Sequence, residues 1–122
     1  MTYIPSTTTL GSLAEDAAIK FLTKQDLHLI ERNFRSRYGE IDLIMKDAEI
    51  IVFVEVRYRK NKKYLDPLET INSKKVKHII NTCNFYIQKS NTDNRMYRID
   101  IITLSGNLET PEIQWYQNAF TE

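Results

Sequence analysis

The fold of this chain is decided by residues 39–59, which read GEIDLIMKDAEIIVFVEVRYR. Residues 40–46 and 49–59 have the composition of two strands, and the second run is rich in β-branched side chains. Asp47 and Ala48 lie between the two runs and predict a two-residue turn. We therefore expect an antiparallel hairpin in which Lys46 pairs with Glu49.

This register divides the hairpin into an apolar face and a charged face, because side chains alternate along a strand. Asp42 is expected opposite Phe53 and diagonal to Glu55, since the numbers of paired residues have an odd sum. The apolar face is expected to carry Ile41, Leu43, Met45, Val52, Val54 and Val56. The charged face is expected to carry Glu40, Asp42, Glu55 and Arg57.

The charged face suggests a metal site. Three carboxylates placed close together repel one another, and a strand does not need them for packing. Mg²⁺ prefers oxygen ligands and is commonly held by one or two carboxylates together with a substrate phosphate. Asp42 and Glu55 are the candidate ligands, and Arg57 projects from the same face, where it could hold a phosphate oxygen. The alternative is a charged face that is simply solvated.

Outside the hairpin, the hydrophobic pattern predicts two helices and three more strands. A helix between strands implies a crossover connection and a mixed sheet, which is an α/β fold. The expected elements are a helix over Thr9–Gln25, a strand over Leu27–Phe34, a helix from Asn72 or Ser73 to about Gln88, and strands over Met96–Leu104 and Glu112–Tyr116. Residues 61–69 are polar and predict a loop.

Length and composition limit the classes to which the protein can belong. The 122 residues, of which 42% are hydrophobic and 27% charged, fit one globular domain. We expect a loose tail over residues 1–8 and the domain over residues 9–122. A single cysteine, Cys83, excludes an internal disulfide and a Cys-rich zinc site. The sequence has neither an apolar run approaching the ~20 residues of a membrane span nor a secretory-signal pattern, so we expect a cytoplasmic protein.

Basic residues are concentrated in three places, although the net charge is only +1. One follows the hairpin, one precedes it and one opens the second helix, and phosphate contacts of this kind give affinity with little sequence information. The predicted nucleic-acid-binding residues are Arg35, Arg37, Arg59, Lys60, Lys62, Lys63 and Lys74. The alternatives are a solvated loop and helix end, with Arg57 and Arg59 as edge-strand charges that prevent aggregation.

Two motifs of the hairpin resemble the signature of the YraN family. They are GEIDLI at residues 39–44 and FVEVRYR at residues 53–59. The resemblance extends over most of the chain, since Glu15, Asn33, Ser73-Lys74 and Arg98-x-Asp100 also match family positions. These small bacterial proteins are related to endonucleases and Holliday-junction resolvases of the PD-(D/E)XK type. The resemblance implies a restriction-endonuclease-like α/β fold, in which helices flank a mixed sheet.

The resemblance also implies roles for individual residues. Asp42 and Glu55 match the acidic metal ligands, and the backbone carbonyl of Val56 would be a further ligand. Glu15 matches a helix carboxylate that contributes to the site in resolvase-like relatives. The alternative is that Glu15 only stabilises the N-terminus of the first helix through the helix dipole. Arg57 stands where the nuclease motif has lysine, and it stays protonated, so it cannot act as a base. The expected catalytic residues are thus Glu15, Asp42, Glu55 and Arg57, with Mg²⁺ or Mn²⁺ as cofactor.

Several other residues of interest have a structural explanation. Arg98 and Asp100 could form a structural ion pair as readily as part of a site. Cys83 lies on the apolar face of the second helix and is expected in the core. His28 and His78 are isolated and do not have metal-ligand spacing.

Two functions from different classes follow. The first is a divalent-metal-dependent endonuclease that acts on branched or processed DNA. The second is a non-catalytic DNA-binding protein on a nuclease fold, accessory to recombination or repair, and an adaptor for another protein is a third reading. The intact Asp42–Glu55 pair favours the enzyme, whereas Arg57 weakens it. DNA is the expected partner, without a membrane or a small-molecule cofactor, and a homodimer is left open.

Overall fold

The structure, a computed structural model, describes residues 10–61, 72–90 and 96–120. Every predicted helix and strand is present, with ends that differ from the expected ones by at most two residues. The tail predicted over residues 1–8, most of the 61–69 loop, and Lys62 and Lys63 lie outside the described residues. In chain order the elements are α1 (Leu10–Lys24), β1 (His28–Ser36), β2 (Gly39–Asp47), β3 (Ile50–Arg59), α2 (Ser73–Lys89), β4 (Tyr97–Ser105) and β5 (Glu112–Tyr116).

The strands form one mixed sheet in the order β1-β2-β3-β4-β5. β3 and β4 are parallel, whereas the other neighbours are antiparallel. α2 connects the parallel pair, as a crossover must. The predicted α/β fold is therefore confirmed, and the arrangement is consistent with a restriction-endonuclease-like fold. Neither α1 nor α2 is long and apolar enough to cross a membrane.

A helix covers each face of the sheet, and each helix buries residues spaced four apart. The core beneath α1 contains Ala14, Ala18, Leu22, Leu43, Met45, Val52, Val54, Ile102 and Leu104. The core beneath α2 contains Phe34, Ile41, Ile44, Phe53, Ile79, Cys83, Ile87 and Ile99. The expected core position of Cys83 is confirmed. Of the four residues expected on the charged face, Glu55 is buried beneath α2, Asp42 and Arg57 are half-buried, and Glu40 is exposed.

The start of α2 is fixed by its cap. The side-chain oxygen of Asn72 accepts a hydrogen bond of 2.8 Å from the backbone N–H of Lys75. Asparagine is a favoured N-cap because this bond satisfies one of the free N–H groups of the first turn. Of the two expected starting residues, Asn72 is thus the cap and Ser73 the first helical residue.

The register of the hairpin differs from the expected one. Asp47 pairs with Ile50, so Ala48 and Glu49 form the turn, and Ala48 has a φ of +53°. Arg98 Nη1 donates to Asp47 Oδ2 at 3.0 Å, which fastens Asp47 to β4 at the end of its strand. The correction moves β3 by two residues relative to β2. It therefore preserves which side chains share a face but changes which ones lie opposite each other.

Ile41 is the residue whose face was wrong. It was expected beside Leu43 and Met45, but it packs in the core beneath α2. The regular alternation of β1 is broken at the same level by Asn33, which has a φ of +56°. Arg32 consequently reaches α1, whereas Phe34 packs beneath α2 and pairs with Ile41. The reversal therefore affects both strands of this pair.

Candidate functional site

β2 and β3 separate where the candidate carboxylates lie. Their ladder ends at the pair Leu43–Val54. Beyond this pair, the backbone ladder of β2 continues only with β1 and that of β3 only with β4. We refer to the opening between residues 39–42 of β2 and residues 55–59 of β3 as the fork. Continued across the fork, the register places Asp42 opposite Glu55, not opposite Phe53 as expected.

The side chain of Asp42 replaces a backbone hydrogen-bond acceptor in the fork. The N–H of Val56 donates to Asp42 Oδ2 at 2.9 Å, so a carboxylate replaces the carbonyl of a neighbouring strand. The pKa of Asp42 is nonetheless raised to about 6, chiefly by burial, while the bond from Val56 acts in the opposite direction. Charges of Glu15 and Glu40 contribute to the increase. Several negative groups therefore converge on Asp42.

Glu55 is the most deeply buried carboxylate of the fork. Only 4% of its surface is exposed, and its Oε1 atom has no hydrogen-bond partner within the described ranges. Burial, followed by the charge of Asp42, raises the pKa of Glu55 to about 8. Glu55 in turn contributes to a raised pKa of Cys83, after burial, which places it beneath α2. A buried carboxylate without a partner is costly unless a proton or a cation neutralises it.

Glu15 is held at the edge of the fork by β1. Its Oε1 atom accepts hydrogen bonds from Arg32 Nη2 at 3.1 Å and from Asn33 Nδ2 at 3.2 Å. Arg32 also pairs with Asp16 at 2.7 Å, so one guanidinium ties α1 to β1 through two carboxylates. The positive φ of Asn33 brings its amide to the same side as Arg32. Glu15 is thus oriented by other residues, and its charge acts on Asp42.

Two cations act on the buried carboxylates. Lys75 of α2 and then Arg57 of β3 lower the pKa of Glu55, against the larger effects of burial and Asp42. Arg57 is half-buried, and its Nε atom has no hydrogen-bond partner in the part of the chain that the structure describes. Lys75 did not belong to the expected site residues. Its signal in the sequence is its spacing of four residues before Ile79, which places an exposed lysine on the helix face that is buried one turn later.

The residues of the fork meet one requirement of a hard divalent cation, which is a set of oxygen ligands. Asp42 and Glu55 supply carboxylates, and Oε1 of Glu55, which has no partner among the described residues, is available as a metal ligand. No group of three or more His, Cys, Asp or Glu side chains among residues 10–61, 72–90 and 96–120 is arranged to hold a metal ion. An ion in the fork would thus take its remaining ligands from backbone, water or phosphate, which is the usual situation for Mg²⁺.

Of the predicted nucleic-acid-binding residues, the five that the structure describes, Arg35, Arg37, Arg59, Lys60 and Lys74, lie at the same end of the sheet as the fork. This end contains the turn between β1 and β2, the last residues of β3 and the start of α2, because β2 and β3 are antiparallel. Arg35 is exposed and pairs with Glu40 at 3.1 Å, while Arg37 lies 4.9 Å from the ring of Tyr38. Lys60 and Lys74 are exposed, and Arg59 donates to the carbonyl of Tyr58. β3 is a central strand up to Val54, where its ladder with β2 ends. The alternative in which Arg57 and Arg59 act as edge-strand charges therefore concerns only the part of β3 beyond Val54.

Arg98 and Asp100 form a structural cluster apart from the fork. Arg98 Nε donates to Asp100 Oδ1 at 3.0 Å, and its Nη1 atom donates to Asp47. Asp100 is fully buried and also accepts bonds of 2.9 Å from Trp115 Nε1 and from the N–H of Asn118. Its oxygens are therefore satisfied. The cluster connects β4 with the β2–β3 turn and β5, as the structural reading of this pair expects.

Comparison with known proteins identifies the family of the chain. Residues 14–104 match the model of "Uncharacterised protein family UPF0102". A UPF0102 protein of Colwellia psychrerythraea is 41% identical over 94% of this chain and 91% of the relative. A UPF0102 protein of Psychromonas ingrahamii is 44% identical over 92% of this chain and 89% of the relative. One of Caldicellulosiruptor saccharolyticus is 36% identical over 91% and 96% of the two chains.

These matches cover most of both sequences, and the chain belongs to the UPF0102 family, which is the YraN family. The resemblance carried by residues 39–44 and 53–59 is therefore confirmed.

Proposed function

We propose that this member of the UPF0102 family binds DNA at the fork and hydrolyses phosphodiester bonds there with the help of Mg²⁺ or Mn²⁺. The observation that carries the proposal is the pair Asp42 and Glu55. Both carboxylates are removed from water at a break in the sheet, and Glu55 Oε1 has no partner within the described residues. A divalent cation between them would offset both the burial and the mutual repulsion.

Asp42 and Glu55 would hold the ion, and the backbone carbonyl of Val56 is the third proposed ligand. When bound, such an ion polarises a phosphoryl oxygen and lowers the pKa of a coordinated water. Asp42 has a second task, because it also accepts the hydrogen bond from Val56. Glu15, fixed by Arg32 and Asn33, adds negative charge that favours a cation near Asp42.

Arg57 would bind a phosphate oxygen. Its guanidinium remains protonated and offers several donors, of which Nε has no partner within the described part of the chain. Charge-assisted bonds from arginine to phosphate are among the stronger hydrogen bonds of proteins. The exposed cations around the fork would contact neighbouring phosphates and position the DNA backbone without reading its sequence.

A non-catalytic DNA-binding protein, or an adaptor on the same fold, is the second candidate. It is favoured by one observation, which is arginine at residue 57, where the nuclease motif has a lysine that can lose its proton. A site of this kind can bind phosphate and still not activate water. In that case the protein would act beside other enzymes of recombination or repair.

A cleavage assay separates the two candidates. Branched, nicked, single-stranded and duplex DNA are incubated with Mg²⁺ or Mn²⁺ and with the wild type, Asp42→Asn and Glu55→Gln. Asparagine keeps an oxygen that can accept the Val56 bond, so loss of cleavage reports on charge. Exposed Glu109→Gln is the matched control and should cleave as the wild type does. Binding without cleavage across the whole panel would favour the second candidate, and cleavage that survives in both site variants would point to a contaminating nuclease.

The salt dependence of binding tests the DNA interaction itself. Removing the cations of the 59–63 segment should reduce the log–log salt slope by up to about 0.9 for each phosphate that is no longer neutralised. The variant replaces Arg59, Lys60, Lys62 and Lys63. The control replaces four exposed lysines away from the fork, Lys20, Lys24, Lys46 and Lys89. Equal slopes in the variant and the control would show that the segment does not contact DNA.

A further inference from the structure

Lys75 is a charged residue of α2 in line with positions that are otherwise apolar and buried. Ile79, Cys83 and Ile87 follow it at intervals of four residues, and all three are buried against the sheet. Residues at this spacing lie on one face of a helix. Lys75 therefore continues the sheet-facing stripe by one turn, at the point where the apolar core ends and the fork begins.

The backbone of Lys75 is fixed while its side chain is exposed. Its N–H donates to the capping oxygen of Asn72 at 2.8 Å, so the first turn of α2 is anchored. Helical side chains lean toward the N-terminus, which directs Lys75 beyond the start of the helix. At this end of the molecule lies Glu55, a side chain only 4% exposed whose Oε1 atom has no partner in the described ranges.

The electrostatics agree with this placement. Among the cations that favour the ionised form of Glu55, and so lower its pKa, Lys75 precedes Arg57. Lys74 and Lys77 are not among the main charges that act on Asp42 or Glu55. Lys77 is also exposed but lies two positions along the helix, which rotates it to the opposite face.

We infer that Lys75 is a substrate-contacting residue, whose ammonium group binds a non-bridging oxygen of the phosphodiester beside Glu55. It would provide, from α2, the lysine that β3 does not have at residue 57. Arg57 and Lys75 would then approach the phosphate from the sheet and from the helix. This assignment rests on the proposed function, because it takes the fork as the place where the phosphate binds.

The test compares Lys75→Met, Lys75→Arg and the control Lys77→Met with the wild type. The first measurement is Mn²⁺ affinity without DNA, followed by electron paramagnetic resonance. Removal of a positive charge near the carboxylates should strengthen Mn²⁺ binding in Lys75→Met, on the order of tenfold at low salt. Lys77→Met should bind Mn²⁺ as the wild type does. A residue that only stabilised α2 would not produce this increase.

The second measurement is the gain in DNA affinity on addition of Mn²⁺, with cleavage followed in parallel. Lys75→Met should lose most of this gain, and its cleavage rate should fall by about 10²-fold, as expected for one donor to a developing charge. Lys75→Arg should restore much of the gain, and Lys77→Met should keep it. If Lys75→Met matches Lys77→Met in both measurements while the wild type binds Mn²⁺ and DNA, the role of Lys75 alone is wrong. A wild type without Mn²⁺ affinity overturns the proposed function and, with it, this assignment.

Discussion

Glu55→Gln should change how the stability of the metal-free protein depends on pH. Burial, and then the charge of Asp42, raise the pKa of Glu55 from 4.5 to about 8 in the folded state. Between these values the folded protein retains a proton that the unfolded chain has released. The folded state is then the one that binds more protons, so the free energy of unfolding falls as the pH rises. The contribution is complete below pH 4.5 and is lost as the pH approaches 8.

The size of the change follows from the same two values. One pH unit of difference between folded and unfolded pKa is worth about 1.4 kcal/mol. From pH 4.5 to pH 8, Glu55 should therefore reduce the free energy of unfolding by about 4 kcal/mol. Asp42, whose pKa rises from 3.8 to about 6 mainly by burial, adds a smaller decrease of the same sign at lower pH. Glutamine does not titrate, so most of the 4 kcal/mol should disappear in the variant.

Urea unfolding in EDTA at intervals from pH 4.5 to pH 8 measures this difference. The wild type and Glu55→Gln should be similarly stable at pH 4.5, and the variant should be the more stable protein at pH 8. Glu109→Gln, at an exposed carboxylate, should follow the wild type. Added Mn²⁺ should stabilise the wild type at pH 8 by mass action and leave Glu55→Gln nearly unchanged. Parallel pH profiles for the wild type and Glu55→Gln would refute the reasoning.

Three further predictions concern the surroundings of the fork. Gly39→Ala should destabilise the protein by about 1–3 kcal/mol, because φ is +143° and a Cβ would lie 3.3 Å from the Thr82 hydroxyl oxygen; Gly11→Ala, with open space around it, should not. Arg98→Met should lower the free energy of unfolding by about 3–5 kcal/mol by leaving a buried carboxylate without its counter-charge, yet the folded protein should bind Mn²⁺ with unchanged affinity in a titration. Arg57→Lys should retain or increase Mn²⁺-dependent DNA cleavage, whereas Arg57→Ala should lose it.

The hairpin could be predicted because its signal is local. Alternation and β-branched residues in 40–46 and 49–59 indicate two strands, and any two-residue turn gives the paired residues 43–47 and 50–54 the same division into two faces. The predicted cross-strand pairs were wrong because the position of the turn, at residues 47–48 or at residues 48–49, depends on contacts outside the hairpin. Asp47 is drawn into the strand by Arg98, which lies 51 residues away in sequence. No property of residues 39–59 reports that interaction.

The separation of β2 from β3 and the burial of Glu55 beneath α2 could not be predicted from the hydrophobic pattern for the same reason. Alternation within β2 assumes a continuous ladder, but the ladder ends at Leu43 and Ile41 turns toward α2. Asn33 takes a positive φ that few residue types adopt readily, and asparagine is one of them. An asparagine at residue 33 permits a positive φ but does not require one. The burial of Glu55 likewise depends on where α2 packs.

The opening of the sheet links the stability of the fold to the chemistry of the site. An unbroken ladder would satisfy the backbone at Asp42 and Val56 but would leave two facing carboxylates without room for another group between them. Separation of β2 from β3 creates that room, and Asp42 compensates part of the loss by accepting the Val56 bond. What remains unsatisfied among the described residues of the fork is Oε1 of Glu55 and Nε of Arg57, one acceptor and one donor on the same strand. A cation at the first and an anionic oxygen at the second would complete the fork, and a metal-bound phosphodiester brings both.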